Sequence, residues 1–354
     1  MIYFMKKLNV CVLFGGVSSE HSVSEVSASA VLENIDKDKY NVFPVGITNE
    51  GKWLYYDGEI SEIRSHNWEN GNVVPAILSP DSCDKALIKL GDKIEKISID
   101  VVYPVLHGKN GEDGTVQGLC ELADIPYVGS GVIGSAACMD KCIAKILFKK
   151  AGIPQADWVE LKLGDTPDFD EMEKKLGYPM FIKPSSAGSS VGVTKASNRC
   201  ELESGINLAL EHDYKVLIEE CINAREVECG VMGNLEPQTA DVLGEIKPAN
   251  EFYDFDAKYN DEDSKLMIPA PVDKETEAKI KEYAVKAYKI CECRGHSRVD
   301  FFVDKENGDI YLNEINTIPG FTPISMYPKL WDCSGMCMTE VIDKHIELAL
   351  ARED

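Results

Sequence analysis

The sequence has no long apolar run near its start: the stretch Val10 to Phe14 stops at Gly15-Gly16, too short for a signal or membrane segment. A cytoplasmic chain with no membrane partner is therefore expected. It also lacks basic excess. Its 37 lysines and arginines face 60 acidic residues, and a net charge of −23 repels a polyphosphate backbone, so no nucleic-acid partner is expected. A compact nucleotide is still compatible, because a few lysines and a metal ion reverse the field locally. Paired CxxC spacing is absent too: the 12 cysteines are scattered, with close pairs only at Cys291/Cys293, Cys138/Cys142 and Cys333/Cys337. They read as small buried apolar residues of a reducing compartment, not as a zinc site or a disulfide frame. There is no repeat at solenoid periods. The balance of 44% hydrophobic and 27% charged residues excludes a disordered chain, and 354 residues suffice for two or three domains.

Strand-like and helical runs alternate from Asn9 to about Gly131: Val10 to Phe14, a helix through Ser24 to Leu32, Val42 to Ile47 and Val101 to Leu106. This pattern predicts an α/β layer with a mostly parallel sheet. Asn49 to Asp100 is rich in polar and turn residues and reads as a peripheral insertion with little chemistry. A second unit carries a helix at Lys141 to Ala151 and strands at Met180 to Lys183 and Val216 to Glu219. In the third, Asp273 is the expected cap of a helix from Glu275 to Cys291.

Five segments carry residue types suited to chemistry. Gly15-Gly16-Val17-Ser18-Ser19-Glu20 closes strand one, and its exposed N–H groups suit an anion, although by itself a strand-to-helix turn capped by Ser18 or Ser19 is the stronger reading. It is not GxGxxG, which excludes a dinucleotide-binding dehydrogenase. Glu20 could hold a substrate ammonium or face the helix dipole. His107 to Gly114 follows an apolar strand, where ligands of open α/β sheets bind. Lys183 to Gly192 is a loop of small residues behind a lysine; it lacks the Walker A ending, so any phosphate site there is of another kind. Val216 to Ile222 runs an apolar strand into Glu219 and Glu220, with Glu226 beyond, which permits an adenine slot and a ribose acceptor.

Arg298 to Asp304 and Ile310 to Asn316, joined through Asn307-Gly308, predict a β-hairpin. A two-residue turn would set Asp300 and Glu314 on opposite faces. A three-residue loop with Gly308 left-handed sets them opposite each other, on one face with Arg298 and Asn316. The second register is adopted, because two carboxylates and an amide oxygen are hard ligands suited to Mg²⁺.

The ordered set GGVSSEHSVS, HGKNGEDGTVQG, MDK, KPSSAGSSVG, EFYDFDAKY, RGHSRVDFF and NEINTIPGFTPISMYP spans nearly the whole chain. It resembles the ATP-grasp superfamily and, within it, the D-alanine–D-alanine ligases. The resemblance implies an N-terminal parallel-sheet, Rossmann-like domain (1–138) before a two-subdomain ATP-grasp fold (139–223 and 224–354). It implies ATP-dependent dipeptide formation through a D-alanyl phosphate, for peptidoglycan precursors, by a homodimer. Lys141 and Lys183 would contact the inner phosphates and Lys258 the transferred one. Glu219, Glu220, Ile222 and Glu226 would line the adenosine end. Asp300, Glu314 and Asn316 would hold two Mg²⁺ or Mn²⁺ ions. Arg298 and the N–H of Gly320 would stabilise the oxyanion. Glu20 would anchor the first ammonium, linked through Ser189 to Tyr259 in a closing loop. His107, Ser325 and Met326 would meet substrate. Tyr259 and Met326 are of the D-alanine type; D-serine as second substrate and a non-catalytic nucleotide sensor are the rival readings.

Overall fold

A computed structural model describes residues 6–188, 191–247 and 265–352. Among these described residues the strands build three sheets. The first orders β1 (Leu8–Gly15), β2 (Tyr40–Ile47), β3 (Trp53–Tyr56), β4 (Val73–Leu78), β5 (Ala86–Leu90), β6 (Ile94–Ser98) and β7 (Val101–Pro104) as β6-β5-β4-β3-β2-β1-β7. Strand β1 is apolar through its length and pairs in parallel with both β2 and β7, as a strand covered on both faces should. Helix α1 (His21–Asn34) returns the chain from β1 to β2.

The expectation of a mostly parallel sheet is corrected here: β2 to β6 pair antiparallel. Only Thr48 to Lys52 separate β2 from β3, too few residues for a parallel crossover. The segment from Asn49 to Asp100 thus extends the sheet, and beside its short helix α2 (Ile60–Arg64) it also supplies core. Trp68 is fully buried, edge-on to Phe14 at 4.9 Å, and a Cβ on Gly46 would strike its ring at 2.2 Å. Its indole N–H donates to Glu25 on α1, which His21 and His66 also bind.

The second sheet joins β8 (Trp158–Lys162), β9 (Met180–Pro184), β10 (Thr194–Ala196) and β11 (Lys215–Glu220) antiparallel in the order β10-β9-β11-β8. Met180, Ile182, Val216 and Ile218 pack with Leu202 and Ile206 in one core. Strand alternation therefore turns Phe181, Lys183 and Glu219 to the other face.

The third sheet contains β12 (Ala224–Met232), β13 (Gln238–Thr239), β14 (Gly244–Lys247), β15 (Lys265–Met267), β16 (His296–Asp304) and β17 (Ile310–Asn316), with β13 on the flank of β12. Between the first two sheets run α3 (Thr115–Ala123), α4 (Val132–Met139) and α5 (Lys141–Lys150); α6 (Phe169–Leu176) and α7 (Arg199–His212) belong to the second. Helix α8 (Lys274–Ile290) starts where the sequence places it, with the Asp273 carboxylate accepting from the N–H groups of Glu275 and Thr276. Its Ile280, Ala284 and Ala287 pack with Val227, Val299 and Phe301, and Ala144 and Phe148 of α5 share that core. The opposite face of β12 and β16 carries Glu226, Glu228, Arg298 and Asp300. Helices α9 (Met326–Cys333) and α10 (Met338–Leu350) then pack back on β1 and α1, where Tyr327, Trp331 and Ile346 meet Val10, Phe14 and Val31.

Candidate active site

One cleft of about 1250 Å³ opens between the three sheets, and it gathers Glu20, His107, Lys141, Lys183, Glu219, Glu220, Ile222, Glu226, Arg298, Glu314, Asn316, Gly320, Ser325 and Met326. Asp300 lies just behind this wall. Ser189, Lys258 and Tyr259 lie outside the described residues.

The hairpin delivers the pairing that the sequence reading expects, but by another route. Gly308 is left-handed (φ 79°), yet the ladder leaves the turn as Val303 with Ile310 and Phe301 with Leu312. Continued straight, it would set Asp300 opposite Asn313. A bulge between Asp300 and Phe301 shifts the register so that Asp300 meets Glu314 and Arg298 meets Asn316. The extra residue in β17 brings Glu314 onto the working face. Arg298 forks onto Asp300, with Nε 2.8 Å from Oδ1 and Nη2 2.7 Å from Oδ2, and Asn316 Nδ2 donates to Oδ2 at 2.9 Å. On its other side Arg298 Nε is 3.0 Å from Glu228 Oε2. Burial opposes the charge of Arg298, but Asp300 and then Glu228 outweigh it and raise its pKa well above the usual value.

Facing this hairpin are the cations of the second sheet and α5. Lys141 opens α5, donates to the carbonyl of Ala187 at 2.8 Å and stands 3.8 Å from Glu314 Oε2. Lys183 Nζ and Lys145 Nζ are each 2.6 Å from one oxygen of the buried Glu219. Burial alone would raise the Glu219 pKa, but Lys183 and Lys145 outweigh it and bring it down to about 2. Lys145 is a site residue that the sequence reading does not single out; its signal is the four-residue spacing from Lys141 along one helix. Asp140 anchors this corner. Its carboxylate caps α5 at the Ile143 N–H (3.1 Å), accepts from Ser185 Oγ at 2.8 Å and pairs with Lys215, a contact without sequence signature.

At one end of the cleft Glu220 accepts from the Asp157 N–H at 2.7 Å, beside Phe181 and Ile222 on the wall. At the other end the α1 turn presents Glu20, almost wholly buried. A Cβ on Gly188 would lie 2.3 Å from Glu20 Oε2 and one on Gly108 2.7 Å from it, so two glycines leave space for that carboxylate. The serines of α1 explain how the turn is fixed: Ser24 Oγ accepts from the Gly15 N–H at 2.8 Å and donates to the Val105 carbonyl.

His107 spends both ring nitrogens within the protein. Nδ1 donates to the Ile318 carbonyl at 3.0 Å and Nε2 accepts from Ser27 Oγ at 3.1 Å, while Ser27 also accepts from the Phe321 N–H at 3.2 Å. Burial holds its pKa below the ordinary value. Glu112, which the sequence reading names only within its motif, completes this bracket by accepting from the N–H groups of Gly108 (2.9 Å) and Ile318 (3.0 Å). Burial first, then nearby Glu20, raises its pKa to about 8. These contacts hold the 317–320 loop, and with it the Gly320 N–H, against the first sheet. Beyond it Ser325 precedes α9, its Oγ accepting from the Thr322 N–H at 3.0 Å, and Met326 packs on Gly244.

Such a site can hold a polyanion between Lys141, Lys183 and Arg298, and a small ammonium-bearing molecule at Glu20. Comparison with known proteins gives a concordant result. The family described as D-ala D-ala ligase N-terminus matches residues 9–130, and D-ala D-ala ligase C-terminus matches residues 147–347. The D-alanine–D-alanine ligase of Acetivibrio thermocellus is 52% identical over 98% of this chain and 96% of its own. Among solved structures, the VanG D-Ala:D-Ser ligase from Enterococcus faecalis superposes with a TM-score of 0.88 at 43% identity, covering 97% of this chain and all (100%) of its own. The D-alanine–D-alanine ligase from Coxiella burnetii does so at 0.85 and 33% identity, covering 98% and 96%.

Proposed function

We infer, from the premise that the chain belongs to the D-alanine–D-alanine ligase family, that it joins two D-alanines with ATP as the energy source, supplying the dipeptide of peptidoglycan precursors. The observation that carries the reading is the opposition of Lys141 and Lys183 to Arg298 across one cleft. A carboxylate attacks the γ-phosphorus of ATP, ADP leaves, and the amine of a second D-alanine attacks the acyl phosphate carbon and expels phosphate. The first step brings two anions together and the second builds an oxyanion on the attacked carbon, so positioning and positive charge are what the protein has to provide.

Each cation starts paired and changes partner. Lys183 rests on Glu219, and moving to a phosphate leaves Lys145 to neutralise that carboxylate. Lys141 has Glu314 as its nearest acid. Arg298 and the Gly320 N–H would face the oxyanion of the tetrahedral intermediate, with Glu228 keeping the guanidinium in place. Glu20 would hold the first ammonium, and Ser325 with the Met326 N–H the second carboxylate.

Divalent cations fit the residues present. Among the described residues no three His, Cys, Asp or Glu side chains form a ligand group by themselves, but Glu314 and the Asn316 amide face the cleft, and Asp300 stands behind with its charge matched by Arg298. Together with phosphate oxygens they form the hard donor set of Mg²⁺ or Mn²⁺, whose chemistry when bound is to neutralise charge on the transferred group.

We keep the division 1–138, 139–223 and 224–354, supported by one sheet in each part. A homodimer is supported by Leu122, Ile133, Ile143 and Ile146, exposed on the neighbouring helices α3 to α5. A cytoplasmic location accords with 12 free thiols; among the described residues no helix is long and apolar enough to cross a membrane. The test is phosphate release from ATP and Mg²⁺ with D-alanine, L-alanine, D-serine or D-lactate, singly and in pairs, with products identified by mass. Release with D-alanine alone, giving the dipeptide, is expected; dependence on D-serine would transfer the chain to the specificity of its Enterococcus faecalis relative. No release would favour a nucleotide sensor.

A further inference from the structure

Three cysteines that the reaction does not use meet where α4 ends. Cys138 Sγ is 3.6 Å from Cys293 Sγ, and Cys291 hydrogen-bonds Cys138 as well. Cys291 and Cys293 are closed off from solvent, whereas Cys138 is 5% exposed and reaches the wall of the nucleotide cleft. We propose that Cys138 and Cys293 form a peroxide-driven, reversible disulfide that tethers α4 to the connection between α8 and β16 and weakens nucleotide binding.

The chemistry closes with hydrogen peroxide as oxidant. Hydrogen bonds to Cys291 and Cys293, then burial, raise the Cys138 pKa, so its proton first passes to the Cys293 sulfur 3.6 Å away. The Cys138 thiolate attacks peroxide entering from the cleft and becomes a sulfenic acid. The O–O bond breaks, and the hydroxide released takes the proton back from Cys293 as one water. The Cys293 thiolate then attacks the Cys138 sulfur and expels hydroxide, which takes up the proton that Cys293 has lost, giving a second water. Two thiols surrender two electrons and two protons, and one peroxide becomes two waters. Cys293 suits the attacking role: hydrogen bonds from Cys138, then Ser130 and Ser297, hold its pKa below the ordinary thiol value against the effect of burial.

A disulfide draws the sulfurs together to about 2.05 Å, a closure on the order of 1.5 Å from the present 3.6 Å. The pull acts two residues before Asp140, whose carboxylate caps α5 and binds Ser185. Lys141 follows directly, and Ser185 adjoins the Lys183 strand. The link therefore disturbs the placement of both lysines. That consequence rests on the proposed phosphate role of Lys141 and Lys183; formation of the bond does not.

The test treats the full-length protein with a small excess of hydrogen peroxide, blocks remaining thiols and maps peptides by mass. A Cys138–Cys293 cross-link, lighter by two hydrogens and reversed by dithiothreitol, is expected. Because Cys291 and Cys293 share a peptide, Cys291→Ala should keep the link and Cys293→Ala should remove it, with circular dichroism checking both folds. Absence of the link, or a link that survives Cys293→Ala, overturns the proposal. Binding of a non-hydrolysable ATP analogue should weaken several-fold on oxidation and recover on reduction. An unchanged affinity in cross-linked protein overturns the regulatory consequence, whereas a reduced protein inactive with D-alanine would overturn the ligase reading instead.

Discussion

Gly188→Ala should damage substrate binding without damaging the fold. Gly188 is not in the left-handed region, so alanine fits its backbone, but the added Cβ would lie 2.3 Å from Glu20 Oε2 and 3.2 Å from Glu20 Cδ. Ordinary contact between carbon and its neighbours needs about 3.5 Å, so the carboxylate must retreat by on the order of 1 Å. Glu20 escapes by rotating its side chain, at a cost of about 1 kcal/mol for leaving its rotamer. The melting temperature should therefore move by only a few degrees. The ammonium that Glu20 is proposed to hold loses its partner's position, and a misplacement of roughly 1 Å in a positioning group can cost about 10²-fold. Initial rates of ADP release against D-alanine concentration, fitted with two substrate sites, should show KM of the first site rising by about 10- to 100-fold, with KM for ATP hardly changed. Gly118→Ala is the control: nothing lies within 4 Å of its added Cβ on α3, so kinetics should stay normal and stability rise by about 0.5–1 kcal/mol. A first-site KM that stays within twofold in Gly188→Ala, with this control behaving, would refute the placement of substrate at Glu20.

Arg298→Ala should lower kcat by about 10²- to 10³-fold while ATP binding by calorimetry persists; it also strands Asp300 and Glu228, which should cost about 3–5 kcal/mol in urea unfolding. Arg298→Lys should not rescue turnover, since an ammonium cannot fork onto both Asp300 oxygens, and near-normal kcat in either variant would contradict the oxyanion role. Glu314→Gln should shift the Mg²⁺ dependence of nucleotide binding to higher concentration, and an unchanged metal titration would remove Glu314 from the ligand set. Burial lowers the His296 pKa to about 3 and holds that of His345 well below its usual value, so both are neutral when folded, while the unfolded chain titrates near 6.5. The unfolded state then binds more protons below that pH, so stability is whole above about pH 7 and falls by about 2 kcal/mol per histidine at pH 5; equal urea midpoints at pH 7.5 and 5 would contradict this.

What the sequence discloses and what it hides divide along a physical line. Residues fixed by short-range geometry are legible: alternation puts Arg298 and Asp300 on one face, an acid precedes α8 as its cap, and small residues mark the loops that lie near Glu20 and Lys183. Partners brought together over long separations are not. Nothing local to Glu219 announces that Lys145 and Lys183 share its carboxylate, and nothing near Asp140 points to Lys215, 75 residues on. The segment around Trp68 hides its importance in the same way, because its polar surroundings read as surface while its indole fills the space that Gly46 leaves open.

The hairpin lies between these cases and says most about the site. Neither the two-residue nor the three-residue turn forms: Asp304 bonds with Asp309 across a four-residue loop, Lys305 to Gly308, and the ladder next to it runs in a register that separates Asp300 from Glu314. Only the bulge at Asp300/Phe301 restores the pairing. A bulge costs ladder hydrogen bonds, so its presence where the two acids meet means that the gathering of Asp300, Glu314, Arg298 and Asn316 is held against the regular continuation of the strand, by the Arg298 fork and the Asn316 amide on Asp300. Removing the Asp300 carboxylate, the acceptor of all three bonds, should therefore loosen the register of β17 as well as the charge pattern. Asp300→Ala is expected to speed amide exchange at Glu314 and Ile315 beyond that at Leu312, on the turn side of the bulge; uniform exchange along β17 would show that the bulge stands without the charged cluster.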